Sequence, residues 1–278
     1  MTSKRPPFTL ITSGTGKTGR RVAQRLAALD RPVRVGSRRG EPAFDWGAPE
    51  TWGPALQDVE QVYLAYQPDL AFPGALETVR AFTEQAVAAG ARKLVLLSGR
   101  GEALAQAAEE IVQGAGVDST VVRASWFAQN FSEGPMLPSV LAGEVALPVG
   151  PTPEPFVDVD DIADVAAAAL SEDGHAGQLY EVTGPRAMSF EEAVAEIAAA
   201  TGRDLRFVAV PAEAYRAGLR EAQVPDDLAD FLVWLMTEVL DGRNAHVADG
   251  IERALGRPAR DFSTFARAAA ASGVWSAS

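Results

Sequence analysis

Apolar positions near the N-terminus first cluster and then recur in helical steps. Phe8, Leu10 and Ile11 make a short run of strand formers, and Val22, Leu26 and Leu29 follow at the spacing of one helix face. Between them Gly14, Gly16 and Gly19 supply the spacing GxGxxG, so residues 8–29 read as strand, glycine turn and helix. The same alternation continues. Residues 32–36 read as a second strand, Phe44, Asp45 and Trp46 as the end of a short third, and residues 50–57 as a brief helical turn before a strand at 61–65. A helix with Leu76, Val79, Phe82 and Val87 on one face leads to the continuous apolar run 93–97, the mark of a strand covered on both faces of a parallel sheet. A helix at 102–113 and a strand at 119–123 follow.

Beyond Arg123 the pattern loosens, and the stretch 134–155 is too rich in Pro and Gly to be helix throughout. Asp160 and Asp161 then open an apolar-faced helix, 178–182 reads as a strand, and Ser189 with Glu192 forms a capping box. Residues 205–210 return to strand, and helical spacing dominates from 211 onward, with Leu228, Phe231, Leu232 and Leu235 on one face. The expected fold is α/β: a Rossmann, doubly wound parallel sheet with a smaller, mostly helical C-terminal substrate lobe. The expected division is a nucleotide-binding core at 1–123 and a C-terminal part at 124–278 that completes the sheet and forms the lobe.

The glycine turn carries the first functional expectation. A first glycine permits the tight turn, a second lets backbone amides approach a phosphate, and a third lets the helix lie against its strand. The positive end of the helix would then face a dinucleotide pyrophosphate. A tight turn without ligand is the alternative. After the second strand, where a site for NAD carries an acid about 20 residues beyond the glycines, the chain has Ser37, Arg38 and Arg39. An Arg fork suits a 2′-phosphate, and Lys17 adds a cation, so NADP(H) is expected over NAD(H), unless the two arginines only face solvent. Ligands of open α/β sheets lie across the carboxyl ends of the strands, which makes Asp45, Trp46, Tyr66 and Gln67 candidates for the adenine and inner ribose. Trp46 and Tyr66 serve equally well as core aromatics. Ser98 and Gly99 stand where a nicotinamide would lie.

Composition narrows the classes of function. Lys plus Arg total 25 against 37 Asp plus Glu, and a net charge of −12 disfavours nucleic acid and anionic membrane as partners. Without cysteine and with only His175 and His246, no metal site is expected, and both histidines read as solvated loop residues. Residues 1–7 are polar and no apolar run approaches about 18 residues, so a cytoplasmic protein is expected.

Taken together, TSGTGKTGR, FDW, VYLAYQPD, LVLLSGRG, VVRASWFAQNF, FVDVDDIADVAAAAL, YEVTGP and GRPARDF with GVW resemble the NmrA-like group of atypical short-chain dehydrogenase/reductases, close to the type-2 NAD(P)H:quinone oxidoreductase subgroup. The resemblance implies a phosphate loop of Gly14, Thr15, Gly16, Lys17, Thr18 and Gly19, with Arg38 after the second strand and cofactor contacts at Asp45, Tyr66, Gln67 and Ser98. Ser13 departs from the glycine usual there. A larger departure concerns the YxxxK of ordinary short-chain reductases: GRGEALAQAAEEIVQGAG after Ser98 contains neither Tyr nor Lys. The usual proton donor is therefore missing, which favours an acceptor that forms a stabilised anion.

The expected activity is NADPH-dependent reduction of a quinone or polycyclic aromatic carbonyl, as a small-molecule tailoring step. Ser98 or Tyr66 would give a modest acid contribution, and Gly99, Trp126, Phe127, Asn130, Phe131 and Phe156 would line the substrate pocket. Two alternatives stay open: a redox sensor that binds the nucleotide without turnover, and oxygenation of an aromatic substrate on the same fold. A homodimer is also left open.

Overall fold

A computed structural model of the chain describes residues 7–276; of the polar residues 1–7, all but Pro7 lie outside the described residues. In chain order the first elements are β1 (Thr9–Ile11), α1 (Lys17–Ala28), β2 (Val33–Val35), α2 (Trp52–Leu56), β3 (Gln61–Leu64), α3 (Ala75–Ala88), β4 (Lys93–Gly99), α4 (Ala103–Gln113) and β5 (Asp118–Ala124). Then come α5 (Asn130–Glu133), α6 (Leu137–Ala142), β6 (Glu144–Leu147), α7 (Val159–Ser171), β7 (Gln178–Val182), α8 (Phe190–Thr201) and β8 (Arg206–Ala209). The last are α9 (Ala212–Glu221), α10 (Asp226–Trp234), α11 (Gly250–Leu255) and α12 (Phe262–Ala271), with a π-helical turn at Leu235–Val239 following α10.

These elements form two compact units. The first holds the chain up to Ala124, then Val159–Val182 and Asp249–Arg257; the second holds Ser125–Asp158, Thr183–Ala248 and the chain from Pro258 on. This interleaved division departs from a single cut at residue 123, because β7 pairs with β5, α11 packs on β7, and α7 packs on β4, β5 and α11.

In the first unit six parallel strands run in the order β2-β1-β3-β4-β5-β7. The chain steps from β1 outward to β2 and then back across β1 to β3, so the strand order reverses between β1 and β3. This is the switch point at which open α/β sheets leave a crevice. Leu94 and Leu96 of β4 pack with Val79 and Phe82 of α3 and with Ala105, Ala108 and Val112 of α4. The helices α1, α7 and α11 associate with one another and with the strands, and the run of alanines in α7 lets that helix lie close. Arg25 of α1 reaches Asp160 and Asp164 at the start of α7, while Arg257 pairs with Asp161 and Asp164.

Phe44, Asp45 and Trp46 do not form the expected third strand. The segment is irregular because the two rings are drawn inward, edge to face with each other at 5.1 Å and each with Phe82. In the second unit the strand expected at 205–210 pairs in parallel with β6, a strand inside the Pro- and Gly-rich stretch, and makes a separate two-stranded sheet. Its core is aromatic, with Phe131, Phe156, Phe190, Phe262, Phe265 and Trp275 in one cluster. The capping box of Ser189 and Glu192 opens α8 as expected. No helix among the described residues is long and apolar enough to cross a membrane.

Candidate active site

The turn between β1 and α1 is built by close backbone contacts. A Cβ on Gly19 would stand 2.4 Å from the Ser13 carbonyl oxygen and 2.8 Å from the Gly14 Cα; one on Gly14 would stand 2.8 Å from both the Ile11 oxygen and Val35 Cγ1. Neither position has room for a side chain. The Gly16 amide donates to the Ser13 carbonyl at 2.9 Å, and Gly16 is the N-cap of α1 with no side-chain cap. The first-turn amides are thus left for an anion, and no carboxylate occupies that turn. Ser13 adopts φ 49°, a conformation that costs a non-glycine residue about 1–2 kcal/mol. Its hydroxyl donates to the Ala65 carbonyl at 2.8 Å, an offset of about 1 kcal/mol that also ties the turn to the end of β3.

Of the expected cofactor contacts, Thr15 is exposed at the tip of the turn and Lys17 begins the helix, whereas Thr18 is buried against the sheet. Arg38 lies exposed just beyond β2. Gln67 is exposed, and its Nε2 is 3.5 Å from where a Gly16 Cβ would lie, so it stands over the glycine turn. Asp45 uses its carboxylate to accept from the Gly47 amide at 3.0 Å. Trp46 is a core aromatic: it is buried, and its indole N–H donates to the Ala65 carbonyl at 3.1 Å. Tyr66 is half-buried with its ring tilted on Trp46 at 5.0 Å.

Ser98 does not present its hydroxyl for chemistry. It is 4% exposed and donates to Glu109 Oε1 at 2.6 Å. Glu109 in turn holds Arg123 through two bonds, at 2.8 and 2.5 Å, and Arg123 reaches Glu181, which also faces Arg100 at 3.5 Å. This network joins β4, α4, β5 and β7, and the carboxylates hold Arg123 well above its ordinary pKa. Ser98→Ala is therefore expected to cost about 1.5–3 kcal/mol of stability, as for a bond to a charged group, and to leave turnover nearly unchanged. Denaturation and steady-state assays check this; lost turnover at unchanged stability would return the hydroxyl to the chemistry.

An acid with no local sequence signal stands nearby. Glu102 is 8% exposed and lies at the carboxyl end of β4, with its carboxyl packed on Gly99: a Cβ there would be 2.6 Å from Glu102 Oε1. Gly99 thus faces a carboxyl group, and a larger side chain at 99 would displace it. Glu102 is the N-cap residue of α4 yet makes no capping bond. Burial, the charge of Asp69 and a hydrogen bond to it push the Glu102 carboxyl up, to about 9. Asp69 follows β3 and accepts from the Ala71 amide at 2.8 Å; burial raises its carboxyl too.

Comparison with known proteins places the chain. The model of the NmrA-like family matches residues 106–266. The chain belongs to the NmrA-like family. An uncharacterized oxidoreductase of Bacillus subtilis, YesF, is 33% identical, with 94% of this chain and 95% of that protein aligned. The NAD(P)H azoreductase of Xenophilus azovorans is 30% identical over 94% of this chain and 98% of its own length. Among solved structures, the NADPH complex of the Escherichia coli NADPH-dependent quinone oxidoreductase QOR2 superposes with a TM-score of 0.73 at 22% identity, covering 93% and 98% of the two chains.

This NmrA-like chain also carries aromatic positions in its second unit, and the structure sorts them. Phe131 and Phe156, expected on a substrate wall, are 0% and 2% exposed and pack edge to face at 5.8 Å within the core. Trp126 and Phe127 stay half-buried, Trp126 against Phe190 at 6.0 Å, and Asn130 begins α5 half-buried. His175 is not solvated: it is buried, with Nδ1 2.9 Å from the Tyr180 hydroxyl. Among the described residues no cluster of His, Asp and Glu could hold a metal ion. Glu102 and Asp69 went unread because their spacing in sequence carries no signal; only the packing of β3 beside β4 brings them together.

Proposed function

We propose that the protein is an NADPH-dependent oxidoreductase that reduces a quinone or a related polycyclic aromatic compound. The observation that carries the reading is the glycine turn feeding the uncapped N-terminus of α1 beside the switch point, with Gln67 over the turn and an exposed Arg38 in place of an acid. Gly14, Gly16 and Gly19 would let the pyrophosphate approach the amides of Thr15 to Thr18, and Arg38 with Lys17 would hold the 2′-phosphate. The bound nicotinamide supplies a hydride. Relatives named as an NAD(P)H azoreductase and an oxidoreductase support reduction as the reaction class, and a fold neighbour named as a quinone oxidoreductase supports the aromatic acceptor. Tyr66, at the end of β3, is the cofactor-side hydroxyl left to hydrogen-bond once Ser98 is committed to Glu109.

The test is anaerobic single-turnover mixing of protein, NADPH and a panel of quinones, followed at the nicotinamide absorbance. Stoichiometric oxidation supports turnover; binding without oxidation would leave a nucleotide sensor, and oxidation only with oxygen would indicate oxygenation. For cofactor choice, Arg38→Ala is expected to weaken NADPH by about 1.5–3 kcal/mol and to change NADH little. Calorimetric losses of equal size for both nucleotides would show that Arg38 is near the site without reading the phosphate.

A further inference from the structure

We infer that the Asp69–Glu102 carboxyl pair is the proton donor of this site, with Glu102 giving the proton and Asp69 keeping it on Glu102 until the acceptor calls for it. The inference rests on the oxidoreductase reading above. It begins from the missing YxxxK: helix α4, where a Tyr and a Lys would stand, holds neither, and Ser98 is committed to Glu109. Yet a carboxyl group occupies the end of β4. Glu102 Oε2 is buried and receives no hydrogen bond among the described residues, and the residue does not cap the helix it precedes. A buried carboxyl with an idle oxygen costs folding energy, and here it contributes neither a cap nor an ion pair. The charge of Asp69 acts on it, while Arg100 faces Glu181 and Arg123 pairs with Glu109 and Glu181.

The buried carboxyl of Glu102 and the half-buried carboxyl of Asp69 repel each other's ionisation, so the proton is held on Glu102 at neutral pH. Its acidity suits the task. Reduction of a quinone takes one hydride and one proton: hydride addition leaves a hydroquinone monoanion, which resembles a phenolate, and phenols titrate at about 10. The O–H bond of Glu102 breaks as the O–H bond of the hydroquinone forms. The carboxylate that remains is reprotonated from water, and no other reactant is needed. A carboxyl pushed well above the ordinary carboxylate range transfers its proton to such an oxygen at a smaller energetic penalty than an ordinary carboxyl and remains loaded at pH 7.

The experiment compares two hydride acceptors. A naphthoquinone needs the proton, whereas a cationic triarylmethane dye is neutralised by hydride alone and needs none. Glu102→Gln is expected to slow naphthoquinone reduction by about tenfold to a hundredfold. It should also abolish the fall in rate at alkaline pH that is expected of the wild type, while dye reduction keeps its rate. Asp69→Asn removes the neighbouring charge and should move that limb to lower pH. In the nucleotide-free protein, carbon-13 spectra of labelled glutamate should contain one side chain titrating far above the usual range, absent in Glu102→Gln. Equal slowing of both acceptors, an unchanged pH limb, or a Glu102 that titrates in the usual range would overturn the assignment. Oxidation of NADPH by neither acceptor in the wild type would instead overturn the oxidoreductase reading, and the proton donor with it.

Discussion

Gly19→Ala is expected to abolish NADPH binding, raising the dissociation constant by more than about a hundredfold, the equivalent of two lost charge-assisted bonds at about 1.5–3 kcal/mol each. The added methyl would fall 2.4 Å from the Ser13 carbonyl oxygen and 2.8 Å from the Gly14 Cα, and both are backbone atoms of the turn itself. Relief requires α1 to move off β1 or the turn to open, and either takes the first-turn amides away from the phosphates. Fluorescence titration with NADPH reads the loss, and circular dichroism checks that the fold survives. Gly218→Ala is the matched control, since nothing lies within 4 Å of the position its Cβ would take. Retention of NADPH affinity within about threefold in folded Gly19→Ala would remove the glycine turn from the nucleotide site.

Glu109→Ala is expected to cost about 3 kcal/mol of stability, the lower end of what breaking a buried ion pair costs. Glu109 is 3% exposed and holds both Ser98 and Arg123, so its removal leaves a hydroxyl without its acceptor and a guanidinium with Glu181 alone. The retained bond to Glu181 is the reason the loss should not reach the upper end. A drop in melting temperature of roughly 6–12 °C follows for a domain of this size. Glu109→Gln keeps one acceptor oxygen and should fall between the two. A loss below about 1 kcal/mol for Glu109→Ala would mean that water takes over the partners of Glu109.

Elements set by short-range interactions are legible in the sequence, and those set by long-range contacts are not. Periodicity located β1, α1, β3, α3, β4, α4, β5 and the capped start of α8, because each is written in contiguous residues whose spacing alone fixes which face is buried. It misread residues 44–46, where Phe44 and Trp46 looked like a strand end but are pulled into an aromatic cluster with Phe82, 36 residues further along than Trp46. It passed over β6, whose four residues become a strand only by pairing with β8. It read His175 as solvated because the DGHAG setting suggests a loop, while the Tyr180 hydroxyl holds its ring inside.

The same boundary runs through the candidate site. The sequence by itself determined the α/β fold, the glycine turn with its helix, and the absence of a Tyr–Lys pair after Ser98, since all three depend on residues adjacent along the chain. Only the tertiary structure decided which polar groups are committed and which are idle. Ser98 faces Glu109, Phe131 and Phe156 face each other, and Glu102 meets Asp69 because parallel pairing of β3 with β4 carries both to one end of the sheet. Hydrogen-bond commitment and desolvation depend on neighbours 11 to 33 positions away in these cases, as Ser98 to Glu109 and Asp69 to Glu102 show, and no local pattern encodes them.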